Sequence, residues 1–517
     1  MPRQDTAVVH FVRSLDARIA GGARAVLERA GMFARSGWSS HLVVTGVVNE
    51  RDVAMARQAG LLDPALHVHA YLHEAPSWQD LQEAGRRAPL APAAVLGRGV
   101  SLIRHVETDE SRRVVETSVD GVVRRQEVTS RNGRRTRRVS LYDEHGRRTE
   151  NWLYIDGAPV VTSEIDPGTG RWLRSDYIAE GRYRWATVGY EPPLGTAPAT
   201  LHTTGERTDV GTVLARWLDR EFAAWAQVVA FADGENVWQR ALRRMRHPGV
   251  RGVSVLHNSH LGEPYDATAG TKPHWDGLFD DLTNVRTMVC LTSRQRQDLI
   301  ERYGDLPLEI VHHAVPAPRE RPAVPRGRHL VFIGRLAEQK RIEHLLEAFA
   351  AARRTVPDAR LEIYGSGPLE DEVRRWISER GLEGAVDMRG HTADPLGAFA
   401  AARAAVMTSR YEGLPLTLTE GMAVGTPFIA YDLNYGPAEV IRDGTDGFLV
   451  PAGDVEAFAD RIVAVLRDDG LAKRLSTAAR DVVRRFSAGR YRQSWTRVLD
   501  DVADGAGTGR ALVKEEA

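Results

Sequence analysis

Six short strand-like segments, at residues 330–333, 360–364, 386–389, 404–408, 427–430 and 447–450, recur between stretches that mostly carry helical periodicity, and those at 330–333, 404–408, 427–430 and 447–450 are mainly apolar runs. A run of four or five such residues bounded by turns reads as a strand buried on both faces. Helices between successive strands force those strands to run parallel and cover the sheet on either side. The second half of the chain is therefore expected to be a doubly wound α/β domain. At 517 residues the chain is too long for one core, so two or three domains are expected.

Two loops of this half hold the chemistry. In VFIGRLAEQKRIEHLLEAF the apolar run ends at Gly334, and Arg335 and Lys340 follow before an amphipathic helix. In SRYEGLPLTLTEGMAVGTPFIA, Glu412 and Glu420 stand eight residues apart across Gly413, and a helix begins about Pro415. Two fixed cations suit a diphosphate leaving group, whose negative charge grows as a glycosidic bond breaks, without calling for a metal. Ionised carboxylates accept hydrogen bonds only, so Glu412 at a loop tip suits sugar hydroxyls and Glu420 suits the hydroxyl pair of a ribose. The N–H groups of Leu414, Leu416 and Thr417 fall at the helix start, where orphan donors favour an anion. Each of these side chains alone is an ordinary surface residue; only the joint spacing points to a site.

That spacing carries a resemblance. G-R-x4-K-R from Gly334 to Arg341, Y-G-x-G-P from Tyr364 to Pro368, and E-x7-E from Glu412 to Glu420, in this order, resemble the donor half of retaining GT-B glycosyltransferases of the family-4 type. The match is strong over about residues 328–470 and weaker elsewhere. It implies a GT-B fold, with two Rossmann-like domains facing a cleft and a UDP-sugar held mainly by the second. It further implies that Gly365 and Gly367 turn beside the nucleotide and that Gly390-His391 meets the base through backbone groups.

The first domain opens with a β-α-β pattern, strands at 6–12 and 42–48 around a helix at 23–35. Gly21 and Gly22 precede that helix, where two glycines let backbone approach a phosphate or sugar, or simply make a tight turn. The resemblance favours the first. Further on, a helix is expected at 212–227, a strand at 228–231, a helix at 237–247 and a strand from Val253 into His257 and His260. Ligands bind beyond the carboxyl ends of parallel strands, and in similar enzymes a histidine here lies beside the transferred sugar. His260 is favoured because it stands clear of the strand, with His257 in reserve; either also serves as an ordinary structural histidine. A strand at 285–292, a helix capped by Ser293, a strand at 308–312 and the proline-rich linker VPAPRERPAVPRGR complete this half. Helices at 455–467, 471–485 and 491–502 close the chain, and disorder is expected from Asp504.

Between these α/β segments, from about Gly97, alternating apolar and polar residues are punctuated by Asp120-Gly121, Asn132-Gly133, His145-Gly146, Asp156-Gly157 and Asp166-Pro167-Gly168. That reads as an antiparallel β meander. The expected division is 1–95 with 201–318 as the acceptor domain, 96–200 as a β-rich insertion, 319–485 as the nucleotide-sugar domain, 486–503 as a crossover helix and 504–517 as a tail. Residues 124–138 hold seven arginines against Glu127 alone, a patch that either draws an anionic polymer or blunts sheet edges.

The 69 basic and 69 acidic side chains cancel, so whole-chain charge selects no partner class, and no nucleic acid is expected. Cys290 is the one cysteine, which removes an internal disulfide and fits a reducing, cytoplasmic setting. The apolar run of the N-terminus is too short for a signal-peptide core, and no stretch is long and apolar enough to span a bilayer, leaving peripheral membrane contact through the surface. No aspartate pair separated by one residue appears, so no metal and no cofactor are expected. The insertion, the HNSH segment and LTSRQRQDL resemble the wall teichoic acid α-glycosyltransferases, which implies an anionic poly(polyol phosphate) or other hydroxyl acceptor and a homo-oligomer, in some similar enzymes a trimer. A transferase acting on a serine-rich protein, and a non-catalytic partner subunit that binds nucleotide-sugar or acceptor, are the alternatives.

Overall fold

The structure is a computed structural model, and it describes residues 5–15, 22–46, 48, 50–71, 102–108, 112–119, 122–130, 136–155, 158–169, 172–179, 183–189, 198–201, 207–234, 236–266, 268–272, 275, 277–315 and 327–505. By chain contacts it divides into two compact units, Met1–Ser254 with Asp281–Arg286 and Val502–Gly505, and Val255–Asp280 with Thr287–Asp501 and Ala506–Ala517. No described helix is long and apolar enough to cross a membrane.

The C-terminal sheet has six strands in the order Val386–Gly390, Arg360–Tyr364, His329–Ile333, Ala404–Met407, Phe428–Asp432, Gly447–Pro451, all parallel. Alternate residues of one strand face opposite sides of a sheet. Leu330 and Phe332 accordingly join one core cluster with Leu345, Phe349 and Phe458, and Val331 joins the other with Leu418, Met422 and Phe428. Phe349 is fully buried, which stabilises the fold by roughly 1.5–3 kcal/mol for such a side chain. Aspartates start several of the covering helices: Asp394, Asp454 and Asp468 accept from the N–H groups of Gly397, Ala457 and Leu471 at 2.8–3.0 Å.

A second sheet has seven strands, Leu308–Ile310, Val285–Cys290, Val250–Val255, Gln227–Asp233, Thr6–Val12, Ser39–Val44, His67–Ala70. Every residue of Thr6–Val12 is buried, as an apolar strand with parallel neighbours on both sides should be. Here Arg29 and Asp233 form a bidentate ion pair with both side chains about 1% exposed.

Ten antiparallel strands run in strict chain order from Leu102–Thr108 to Arg207–Asp209, so the ladder extends past the expected end at 200. The final strand pairs Pro198 with Asp209, and the Asp209 side chain then caps the next helix through the Thr212 N–H. Asp143 and Asp166 close two of the expected turns by accepting from the N–H groups of His145 and Arg147, and of Gly168 and Thr169. The turns at Asp120, Asn132 and Asp156-Gly157 fall at least in part outside the described residues, as do 131–135 of the arginine stretch. Within that stretch, Arg125 pairs with Glu127, Arg138 donates to Gln126 and Arg137 faces Asp52.

Several boundaries differ from expectation. The helix expected at 212–227 runs Val210–Glu221, because Gln227 is drawn into the strand Gln227–Asp233 and pairs with Thr6. Thr292, not Ser293, caps the helix Ser293–Tyr303, its hydroxyl accepting from the Gln295 N–H; Ser293 instead donates its N–H and hydroxyl to Glu439. The helix expected at 471–485 is two, Asp469–Ala479 and Val482–Arg485. The last helix, Ala488–Asp504, takes in Asp504, where disorder was expected.

Candidate functional site

In the C-terminal sheet the first strand, His329–Ile333, lies beside the fourth, Ala404–Met407, and the chain winds away on either side. Such a switch point leaves a crevice beyond the carboxyl ends of the two strands, where doubly wound sheets bind ligands. The loops that leave these two strands are the ones with Arg335 and Lys340, and with Glu412. The topology therefore brings the cations and the carboxylate to one place although Lys340 and Glu412 are 72 residues apart in the chain.

Hydrogen bonds lace the loops together. The Arg410 N–H donates to the Gln339 carbonyl at 2.7 Å, the Gln339 side-chain amide donates to the Tyr411 carbonyl at 2.9 Å, and the Thr408 hydroxyl reaches the carbonyls of Lys340 and Arg341 at 3.1 and 3.0 Å. Lys340 Nζ then meets Glu412 Oε1 at 2.5 Å, with side chains 17% and 9% exposed. At that burial each charge depends on the other, since removing one partner leaves an uncompensated charge in a poorly solvated place. Arg335 is exposed and makes no ion pair or side-chain hydrogen bond among the described residues.

Glycines permit the close packing. A β-carbon on Gly365 (φ +137°) would overlap the Gly334 carbonyl oxygen, and one on Gly367 would overlap the Leu336 carbonyl, so the 364–368 turn lies directly on the cationic loop. Leu336 is fully buried and anchors that loop, exchanging backbone bonds with Ser366 and Leu369. A β-carbon on Gly413 would overlap the His257 carbonyl oxygen, and one on Gly436 would overlap the Gly413 carbonyl. Leu414 is buried, and Leu416 and Thr417 are the first two residues of the helix Leu416–Ala423, so their N–H groups leave its N-terminus. Glu420 is half-buried one turn further on, and His391 is exposed after Gly390.

The two histidines have different surroundings. The half-buried His257 ring stacks on His313, centroids 5.7 Å apart at 4°. His260 is fully buried, stacked on Tyr435 at 5.9 Å and edge-on to Phe279 at 5.7 Å. Burial, then the charges of Arg302 and Lys272, push its pKa down to about 3, so the ring is neutral near pH 7. Gly22 begins the helix Gly22–Arg35 in the other unit, and Gly21 lies outside the described residues.

Gln339, Thr408, Arg410, Gly436 and Lys272 escape the sequence reading. Lys272 Nζ lies 3.8 Å from the centroid of the Tyr411 ring and 5.5 Å from that of Tyr265, and donates to the Ser259 carbonyl at 2.8 Å. A cavity of about 1140 Å³ lined by His312, Glu439, Arg485, Arg490 and Arg497 among others takes in none of the expected site residues.

Residues 318–482 match the family model described as glycosyl transferases group 1. EpsD of Bacillus subtilis (strain 168), named for a glycosyltransferase, is 32% identical over 273 residues, 48% of this chain and 69% of that protein. The chain belongs to the glycosyltransferases, with a group 1 domain at residues 318–482. The poly(glycerol-phosphate) alpha-glucosyltransferase of the same organism is 25% identical over 256 residues, 48% of this chain but 37% of its own length. The UDP-N-acetylglucosamine–peptide N-acetylglucosaminyltransferase GtfA subunit of Streptococcus gordonii is 29% identical over 378 residues, 65% of this chain and 73% of that one. The chain thus spans little more than a third of the first of these two relatives. Among solved structures, a mutant TarM of S. aureus superposes with a TM-score of 0.70 over 96% of this chain and 99% of its own, at 16% identity. The shared fold is the GT-B α/β class, with an antiparallel sheet inserted in its first half.

Proposed function

We propose that the chain is a retaining glycosyltransferase of the family-4 type, moving a hexose or N-acetylhexosamine from a UDP-sugar to a hydroxyl of a poly(polyol phosphate), the chemistry of wall teichoic acid. The observation that supports it most is the meeting of Lys340 with Glu412 at the switch point of the C-terminal sheet. Without ligand the two neutralise each other. A bound nucleotide-sugar replaces that pairing, with diphosphate oxygens taking Lys340 and Arg335 and sugar hydroxyls taking Glu412. Glu420 takes the ribose hydroxyls, the amides of Leu414, Leu416 and Thr417 face the anion, and Gly365, Gly367 and His391 border the nucleotide. Neutral His260 hydrogen-bonds the reacting side of the sugar, with His257 in reserve.

Transfer then runs as a same-face displacement. The bond from the anomeric carbon to the β-phosphate oxygen breaks, the acceptor oxygen bonds to that carbon on the same face, and the acceptor proton passes to the departing phosphate. Preorganised cations supply the stabilisation and positioning supplies much of the rest. The poly(glycerol-phosphate) relative supports the acceptor class. The β-rich insertion serves acceptor binding or homo-oligomer formation, and the enzyme works without a metal on the cytoplasmic side.

A second reading, transfer to a serine-rich protein, is favoured by the GtfA relative, which covers the larger share of both chains. One experiment separates them: UDP release from UDP-glucose and UDP-N-acetylglucosamine with poly(glycerol phosphate), poly(ribitol phosphate) or a serine-rich peptide, the product anomer read by NMR. Turnover with a phosphate polymer and a retained anomer supports the first reading, and turnover with the peptide alone replaces it with the second. Binding without turnover makes the chain a non-catalytic partner subunit.

A further inference from the structure

Lys272 holds a cation where a protein rarely leaves one unmatched. It is half-buried, burial pulls its pKa down to about 8, and among the described residues no carboxylate pairs with it. One N–H goes to the Ser259 carbonyl, and the charge rests against the Tyr411 ring, itself 4.4 Å from Tyr265. An ammonium carries three donors, so donors remain. The nearby acids are engaged elsewhere: Glu412 with Lys340, and Glu263 and Glu338 with Arg410. Arg302 adds positive charge, donating to the Ala269 carbonyl.

A second imbalance adjoins the first. The Lys272 N–H donates to the His260 carbonyl at 2.8 Å, and both ring nitrogens of the fully buried His260 lack a hydrogen-bond partner among the described residues. Buried polar groups are nearly always satisfied, and an exception calls for a ligand or water. Tyr411, against which Lys272 lies, is the residue before Glu412.

We infer that Lys272 is the cation of a phosphate-binding point beside the Glu412 loop, adjoining the His260 ring that faces the transferred sugar. The inference rests on the glycosyl-transfer reading for its location. Two sources supply such a phosphate, the diphosphate of the donor and the phosphodiester of an anionic acceptor. Arg335 and Lys340 already match the donor, so the acceptor is the better fit.

The test uses the full chain with Lys272→Met, which keeps the apolar stem, and Lys272→Arg, which keeps the charge. Three quantities are read: Kd for UDP, KM for poly(glycerol phosphate), and KM for glycerol as a neutral acceptor. Loss of a charge-assisted hydrogen bond is expected to raise KM for the polymer about tenfold or more, leave KM for glycerol within about twofold, and be largely restored in Lys272→Arg. A comparable rise in Kd for UDP instead assigns the phosphate to the donor. Unchanged values on both arms, or equal losses with polymer, glycerol and UDP that Arg does not rescue, overturn the inference. A wild-type chain that uses glycerol but no phosphate polymer defeats the acceptor assignment alone, and the UDP arm still decides whether Lys272 binds phosphate.

Discussion

The ammonium of Lys340 and the carboxylate of Glu412 stand 2.5 Å apart, joined across two loops that leave neighbouring strands of a parallel sheet. Lys340→Ala should lower turnover by about a hundredfold or more, the scale of losing one preorganised donor to a developing anion. It should also reduce stability, because Glu412 is left buried and unpaired. Steady-state kinetics with urea unfolding check both, and near-normal turnover would remove Lys340 from its role.

Gly413 has the His257 carbonyl where a β-carbon would go. Gly413→Ala should therefore cost about 1–3 kcal/mol, the usual range for forcing atoms into a packed place, and should depress turnover by displacing Glu412. Gly270→Ala is the control, since a β-carbon there meets nothing within 4 Å. Equal unfolding midpoints for the two variants would contradict the contact.

Acid should destabilise the fold through buried histidines, among them His10, whose pKa burial lowers, and His41 and His260. His41 and His260 have pKa values near 3, each lowered first by burial; for His41 the neighbouring His69 and His67 add to it. In the unfolded chain both return to about 6.5. Below that value the unfolded chain takes up protons that the folded one refuses, so stability is full above pH 6.5 and falls as pH drops towards 3. Each contributes a slope of about 1.4 kcal/mol per pH unit in that window. Urea unfolding between pH 7.5 and 4.5 measures it, and His41→Phe should flatten the slope.

A chain lacking residues 97–200 should lose acceptor use or assembly and keep its affinity for UDP. Calorimetry with UDP and sedimentation of both forms test this. Loss of UDP binding in the shortened chain would show that the nucleotide site depends on the removed strands.

Much of the architecture was readable because it rests on local patterning. The apolar runs around Val331 and Ile429 are strands buried on two faces, and the meander shows in alternation and aspartate turns such as Asp143. The meeting of Lys340 with Glu412 was readable from spacing. What holds them was not. Gln339, Thr408 and Arg410 are ordinary polar residues until the strand order decides which loops meet, and no local signal marks Lys272, whose aromatic neighbour Tyr411 lies far along the chain. Gly436 left only a trace, a glycine ahead of Pro437 where its φ is +107°. Helix ends shifted where a tertiary partner outbid propensity, as when Glu439 took Ser293 and left capping to Thr292.

Each of the ten antiparallel strands pairs only with strands adjacent in the chain. Such a ribbon can gain or shed hairpins two strands at a time without disturbing the register of either parallel sheet. Its length is therefore free to vary while both parallel sheets keep their strand order.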